Sequence, residues 1–111
     1  MAESEDEKNE SKPTFGYMEE KAKLDLSPID AEILLLAEGA GGNIDVMEGQ
    51  QNWVRAGGKN FVDNNDGAVA AQGLASLERL MSYGLVVHRS GQSYVLTDAG
   101  WRIARVLRQE G

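Results

Sequence analysis

The sequence predicts an α+β domain in which three amphipathic helices share one core with a β-hairpin, preceded by a disordered acidic tail. Three observations predict it. Apolar residues recur at helical spacing over about 28–38, 67–83 and 98–109. Between the last two segments lie two short alternating runs, LVVH and SYVL, split by a turn. The first dozen residues hold almost nothing that can be buried.

The chain has 111 residues, with 18 acidic and 11 basic side chains, one His and no Cys. That length makes one domain. No apolar run approaches the roughly 18 residues that a membrane span needs, so no membrane partner is expected. Without Cys there are no disulfides, thiolate nucleophiles or thiolate zinc sites, and His88 is the only nitrogen ligand or neutral-pH base. No metal and no cofactor are expected. The leading MAESEDEKNESK is acidic where a secretion signal is basic and then apolar, which points to the cytoplasm.

The acidity is uneven. Residues 1–27 hold eight acids and four lysines, net −4, whereas residues 28–111 hold ten acids and seven bases, net −3. Residues 1–22 read as the disordered tail because they bury too little apolar surface to offset the entropy of ordering. Phe15, Tyr17 and Met18 are its exceptions, able to dock on the folded part or on a partner. Residues 23–111 read as the domain.

The first helix begins at Ser27-Pro28-Ile29-Asp30. Ser27 can cap, Pro28 stands where a missing N–H costs nothing, and Asp30 occupies the third helical position of a capping box. Ile29, Ile33 and Leu36 then recur at helical spacing, widened by Leu34 and Ala37, and Gly39 stands where a left-handed C-cap belongs.

A glycine-rich connector follows. Ile44, Val46 and Met47 suit a short strand or helix, and Trp53–Ala56 and Lys59–Val62 flank Gly57-Gly58 as a two-residue hairpin requires. A helix over about 45–56 is the alternative. Asp63-Asn64-Asn65-Asp66-Gly67 lacks the acids of a calcium loop and reads as a turn before an Asn65 or Asp66 helix cap. Gly39-Ala40-Gly41-Gly42 follows a helix and has no Gly-Lys-Ser/Thr sequel, so it is not a phosphate loop.

In the long second helix, Ala70, Leu74, Leu77 and Met81, with Leu80 beside them, form the predicted buried stripe. Gln72, Ser76, Arg79 and Tyr83 fall opposite. Gly84 can end the helix in a Schellman turn, with Leu85 meeting Leu80. In the hairpin, Val87, Tyr94 and Leu96 are expected to face the core and His88 the solvent. Thr97 caps the last helix, in which Trp101, Ala104 and Leu107 form the expected buried stripe and Arg102, Arg105 and Arg108 lie outside.

This order of elements, and specifically LERLMSYGLVVHRSGQSYVLTDAGWRIARVL at 77–107, resembles the winged helix-turn-helix family over residues 27–108. MarR-like repressors and many small bacterial or prophage-encoded proteins look like this. The resemblance implies a three-helix core with a β-hairpin wing, the 67–83 helix in the recognition position, residues 89–92 at the wing tip, and transcription regulation through double-stranded DNA. The connector departs from the family, which has a short second helix there to cross the phosphate backbone.

Two functions follow. A DNA reader would use Gln72 and Ser76 on base edges, Arg79 beside them, and Arg89, Ser90 and Gln92 of the wing, with Arg55 and Lys59 as further cations. Glu78 and the acidic tail oppose it. The alternative is a protein-interaction or dimerisation module without DNA binding, built on Trp101, Ile103 and Val106 of an unusually apolar last helix. Catalysis is not expected, because His88 has no buried carboxylate to orient it and no oxyanion site nearby. Arg55, Lys59, Arg79 and Arg89 discriminate between the two functions: gathered on one face they favour DNA, and scattered among acids they favour a protein partner.

Overall fold

The computed structural model describes residues 25–110, so the predicted tail at 1–22 lies outside the described residues. Three helices and five strands follow in the order α1 (Pro28–Gly39), β1 (Asn43–Met47), β2 (Trp53–Ala56), β3 (Lys59–Phe61), α2 (Gly67–Ser82), β4 (Val86–Ser90), β5 (Ser93–Leu96) and α3 (Asp98–Glu110). The strands form one sheet in the order β3-β2-β1-β5-β4, and every neighbouring pair is antiparallel. The domain is α+β, with its strands in one sheet where the sequence suggested two separate hairpins.

Helix α1 starts as its sequence dictates. The Ser27 hydroxyl accepts from the Asp30 N–H at 3.1 Å while the Ser27 N–H donates to the Asp30 carboxylate at 3.0 Å, the reciprocal capping box. Its end differs from expectation. Gly39 is the last helical residue, and the left-handed positions are Gly41 and Gly42, at φ +76° and +87°. Gly42 is required twice over, because a β-carbon there would stand 2.8 Å from the Trp101 ring. That packing comes from α3 and has no trace in the local sequence.

The connector forms the predicted hairpin. Gly57 and Gly58 both take positive φ, which the tight primed turn demands, and Val54 and Ala56 pair with Phe61 and Lys59. Trp53 and Val54 accordingly face opposite sides of the sheet. Beyond prediction, β1 bonds to this hairpin on one side and to β5 on the other, so it is the central strand.

Helix α2 is capped by Asp66, whose carboxylate accepts from the Ala68 N–H at 3.0 Å. At its far end the Leu85 N–H reaches the Leu80 carbonyl and the Gly84 N–H the Met81 carbonyl, each at 3.0 Å, with Gly84 at φ +76°. This is the Schellman ending. The buried face is rotated from the predicted one: Ala70, Gly73, Ser76, Leu77 and Leu80 are buried, whereas Met81 is 38% exposed. At 100° per residue the shift is roughly 60°. Its cause is close packing, since a β-carbon on Gly73 would lie 3.1 Å from the Phe61 Cβ and 3.7 Å from the Val54 Cβ. The helix brings Gly73 closest to the sheet, while Leu77 and Leu80 enter the core.

In the second hairpin Tyr94 and Leu96 pack on the core as expected, but Val87 is 49% exposed and Val86 takes the inward place. Val86 pairs with Leu96, and the two-residue period of the strand then turns Val87 outward. Thr97 caps α3 from both sides of its hydroxyl, accepting from the Gly100 N–H at 3.1 Å and donating to the Gly84 carbonyl at 2.6 Å.

One cluster gathers Ile33, Leu34, Ile44, Val54, Leu77, Leu80, Leu85, Leu96, Ile103 and Ala104, with Tyr94, Trp101 and Leu107 packed against it. Every strand contributes one alternating set of side chains to it, so the helices cover a single face of the sheet. Among the described residues no helix lies on the opposite face.

Candidate functional site

The polar centre of the helical side joins α1 to α2. Asp30 is fully buried and its carboxylate accepts four donors, one of them the capping Ser27 N–H. Oδ2 takes the Ser27 N–H and Arg79 Nε, both at 3.0 Å, while Oδ1 takes Arg79 Nη2 at 2.8 Å and the Ser76 hydroxyl. The Arg79 guanidinium thus grips Asp30 with two parallel bonds. Burial alone raises the Asp30 pKa, but the bonds from Arg79, Ser76 and Ser27 outweigh it and hold the carboxyl below its ordinary value. The Arg79 pKa is raised in turn, chiefly by its hydrogen bond to Asp30.

This corrects the reading of the recognition face. Ser76, expected at a base edge, is 0% exposed and bound to Asp30. Arg79, expected beside it on the DNA-reading face, is engaged with the same carboxylate. Leaving a buried carboxylate without its partner costs roughly 3–5 kcal/mol, more than the roughly 1.5–3 kcal/mol that a hydrogen bond to a charged group returns. Arg79 therefore stays with Asp30. Nothing in the chain around Arg79 signals this, because the two residues are 49 positions apart.

The other candidates on that side are scattered. Gln72 is exposed on α2, and Arg89 and Ser90 are exposed on β4. Arg89 Nη1 stands 3.5 Å from the Asn43 side chain, and Gln92 donates to Glu48 at 2.7 Å. Lys59 is paired with Glu32 of α1. Arg55 lies across from Asp45 in the β1–β2 register and so faces the side without helices. The four discriminating cations fall on both faces of the sheet, and two of them are held by α1 carboxylates.

The predicted interaction triad on α3 does not form one patch. Ile103 is 0% exposed and belongs to the core, since α3 crosses α1 with that residue inward. Val106 is half-buried. Trp101 is half-buried with its ring against Gly42, and the Arg105 guanidinium sits 5.9 Å from the ring centroid. Arg108 donates to Glu38 at 2.7 Å and to the Leu35 carbonyl at 3.1 Å, tying the end of α3 to α1.

The face of the sheet without helices is the surface that sequence reading missed. The strand registers place Met47 beside Trp53 at one end and Val87 beside Val95 at the other. Asp45, Arg55, Asn60 and Ser93 lie between them, with Trp53 Nε1 donating to Asn60 at 3.0 Å and Ser93 to Asp45 at 3.3 Å. A large aromatic and three aliphatic side chains thus flank a charge-balanced middle. The signal was present in the alternation of Trp53 and Val54, but alternation says only that two faces exist, not which one is covered.

His88 is exposed, its ring edge-on to Tyr94 with centroids 5.1 Å apart and Nε2 at 2.9 Å from the Gly91 carbonyl. Among the described residues no group of three or more His, Asp and Glu is placed to hold a metal ion, and no helix is long and apolar enough to cross a membrane. Comparison with family models, curated proteins and solved structures returns no match for this chain.

Proposed function

We propose that the chain is a cytoplasmic winged-helix variant, its usual second helix replaced by the β2–β3 hairpin, that acts as a protein-interaction module through the open face of its sheet. The observation that carries this reading is the fate of Arg79: Nε and Nη2 of the cation in the recognition position are bound to Asp30, while Trp53, Met47, Val87 and Val95 stand on a face that no helix among the described residues covers. An aromatic anchor among aliphatic and balanced polar groups is the composition of a protein interface. A phosphate-binding surface gathers cations instead. A second copy of the chain is the first partner to test.

A second reading, binding of double-stranded DNA and transcription regulation, draws on the exposed Gln72 of α2 and the exposed Arg89 and Ser90 of the hairpin that follows it. One pair of measurements separates the two. In fluorescence anisotropy at low salt, the full chain is expected to leave labelled duplex DNA free. In sedimentation velocity it is expected to associate with rising concentration, and Val87→Asp to weaken that association. Duplex binding that falls steeply with salt, by a chain that stays monomeric, overturns the protein-interaction reading in favour of DNA.

A further inference from the structure

A second surface lies on α3, away from the open sheet face. Asp98, Trp101, Arg102 and Arg105 recur at i, i+3, i+4 and i+7, so they share one stripe of the helix. Among the described residues these four line a concavity of about 350 Å³. It joins an indole ring, half-buried against Gly42, to two guanidinium groups, one of them over that ring. Such a surface suits a segment that offers an apolar or aromatic side chain with carboxylates next to it.

The N-terminal region of the chain contains a segment of that composition. Residues 15–20 read Phe-Gly-Tyr-Met-Glu-Glu, the apolar group of an N-terminal region whose net charge is −4 over residues 1–27. We propose that this segment docks on the α3 stripe of its own chain, with Tyr17 and Met18 against Trp101 and Glu19 and Glu20 toward Arg102 and Arg105. The direction of the helices suits this. Arg108 lies against Leu35 and Glu38 while Trp101 lies against Gly42, so α3 runs antiparallel to α1 and its Arg105 level is reached from Ser27 along α1. That path is about 17 Å at 1.5 Å per residue. Leu26 is packed on the core and Asp25 is turned at φ +53°, so the free linker is the five residues from Glu20 to Asp25, up to about 17 Å when extended. Glu20 therefore comes level with Arg105 when this linker is close to full extension, and the residues before it continue toward Trp101.

The absence of Cys from the chain makes a clean test available. A nitroxide is attached to full-length protein carrying Gly16→Cys, and paramagnetic broadening is read at each backbone amide and at the indole N–H groups. Docking predicts that the amides of Trp101 to Arg105 and the Trp101 indole lose most of their peak height while the β2–β3 hairpin keeps its own. The loss is expected to fade with added salt and to vanish in Glu19→Lys/Glu20→Lys, a change confined to the segment that leaves the domain's own packing alone. Arg102→Glu/Arg105→Glu is the reciprocal variant. Broadening spread evenly over the domain, or localised broadening that survives the Glu19 and Glu20 reversal, overturns the proposal. So does broadening that appears when spin-labelled chain is mixed with isotope-labelled chain bearing no nitroxide, because the contact is then between molecules.

Discussion

Asp30→Ala is expected to destabilise the domain by about 2–4 kcal/mol, the sum of a buried hydroxyl left without an acceptor and a lost helix cap. The carboxylate is fully buried and serves three residues on two helices. Its removal leaves the Ser76 hydroxyl buried without an acceptor, leaves Arg79 without its fork partner, and removes half of the capping box at Ser27. Ser27→Ala, which removes only the capping hydroxyl, is expected to cost about 1 kcal/mol. Chemical denaturation with urea measures both. The pH dependence follows from the same geometry. A carboxyl whose folded pKa lies below its unfolded value contributes stability above the unfolded value and loses it as the pH falls through the folded one. Wild-type stability should therefore drop on acidification below about pH 4, near the unfolded aspartate pKa. The drop should be shallower in Asp30→Asn, which has no such carboxyl to protonate. A loss below 1 kcal/mol for Asp30→Ala would mean that the network contributes little to the fold.

Gly100→Ala is expected to cost about 3 kcal/mol, the upper end of the range for overpacking. A β-carbon at Gly100 would fall far inside van der Waals contact of the Leu85 carbonyl oxygen and within 3.3 Å of a Leu96 methyl. Backbone cannot yield here as a flexible side chain could. The Leu85 carbonyl also accepts the Thr97 N–H at 3.0 Å, and the Gly100 N–H is itself held by the Thr97 hydroxyl, so moving either strand of chain breaks a bond of the α3 cap. At roughly 4–8 °C per kcal/mol for a domain of this size, Tm should fall by more than about 10 °C. Gly39→Ala is the control. Gly39 is helical, without positive φ, and a β-carbon there meets nothing closer than 3.9 Å, so alanine should stabilise by up to about 1 kcal/mol. Calorimetry that found the two substitutions equal would contradict the packing of α3 on the Leu85 turn.

The elements that were legible in the sequence are those fixed by short-range chemistry. The Ser27 capping box, the Gly57-Gly58 turn, the Schellman ending at Gly84 and the Thr97 cap each involve residues within a few positions of one another, and all form as their residue types dictate. What was hidden depends on distant partners. The central place of β1 comes from pairing Ile44 with both Ala56 and Tyr94, the latter fifty positions away. The rotation of α2 comes from Gly73, whose lack of a side chain reads locally as a helix weakness and is in fact the point of closest approach to β2 and β3. Ser76 and Arg79 look like surface residues to any count of polarity, and only the buried carboxylate of Asp30 makes Ser76 an interior one and ties the partly exposed Arg79 to the fold. The open sheet face was hidden for the same reason, since which side of a strand is covered is decided by where the helices cross it.

The account rests on Arg79 and Asp30 acting as one unit of the fold, which commits Nε and Nη2 of the recognition-position cation to Asp30. A double-mutant cycle of Asp30→Ala and Arg79→Ala, read by urea denaturation at neutral pH, measures that unit directly. The predicted coupling is about 2 kcal/mol or more, with the double variant much more stable than the sum of the single losses implies, because a buried carboxylate without its partner is the costliest state of the four. Single losses that add to within about 0.5 kcal/mol would place Arg79 outside the fold's interior chemistry and return it to the surface as a ligand contact.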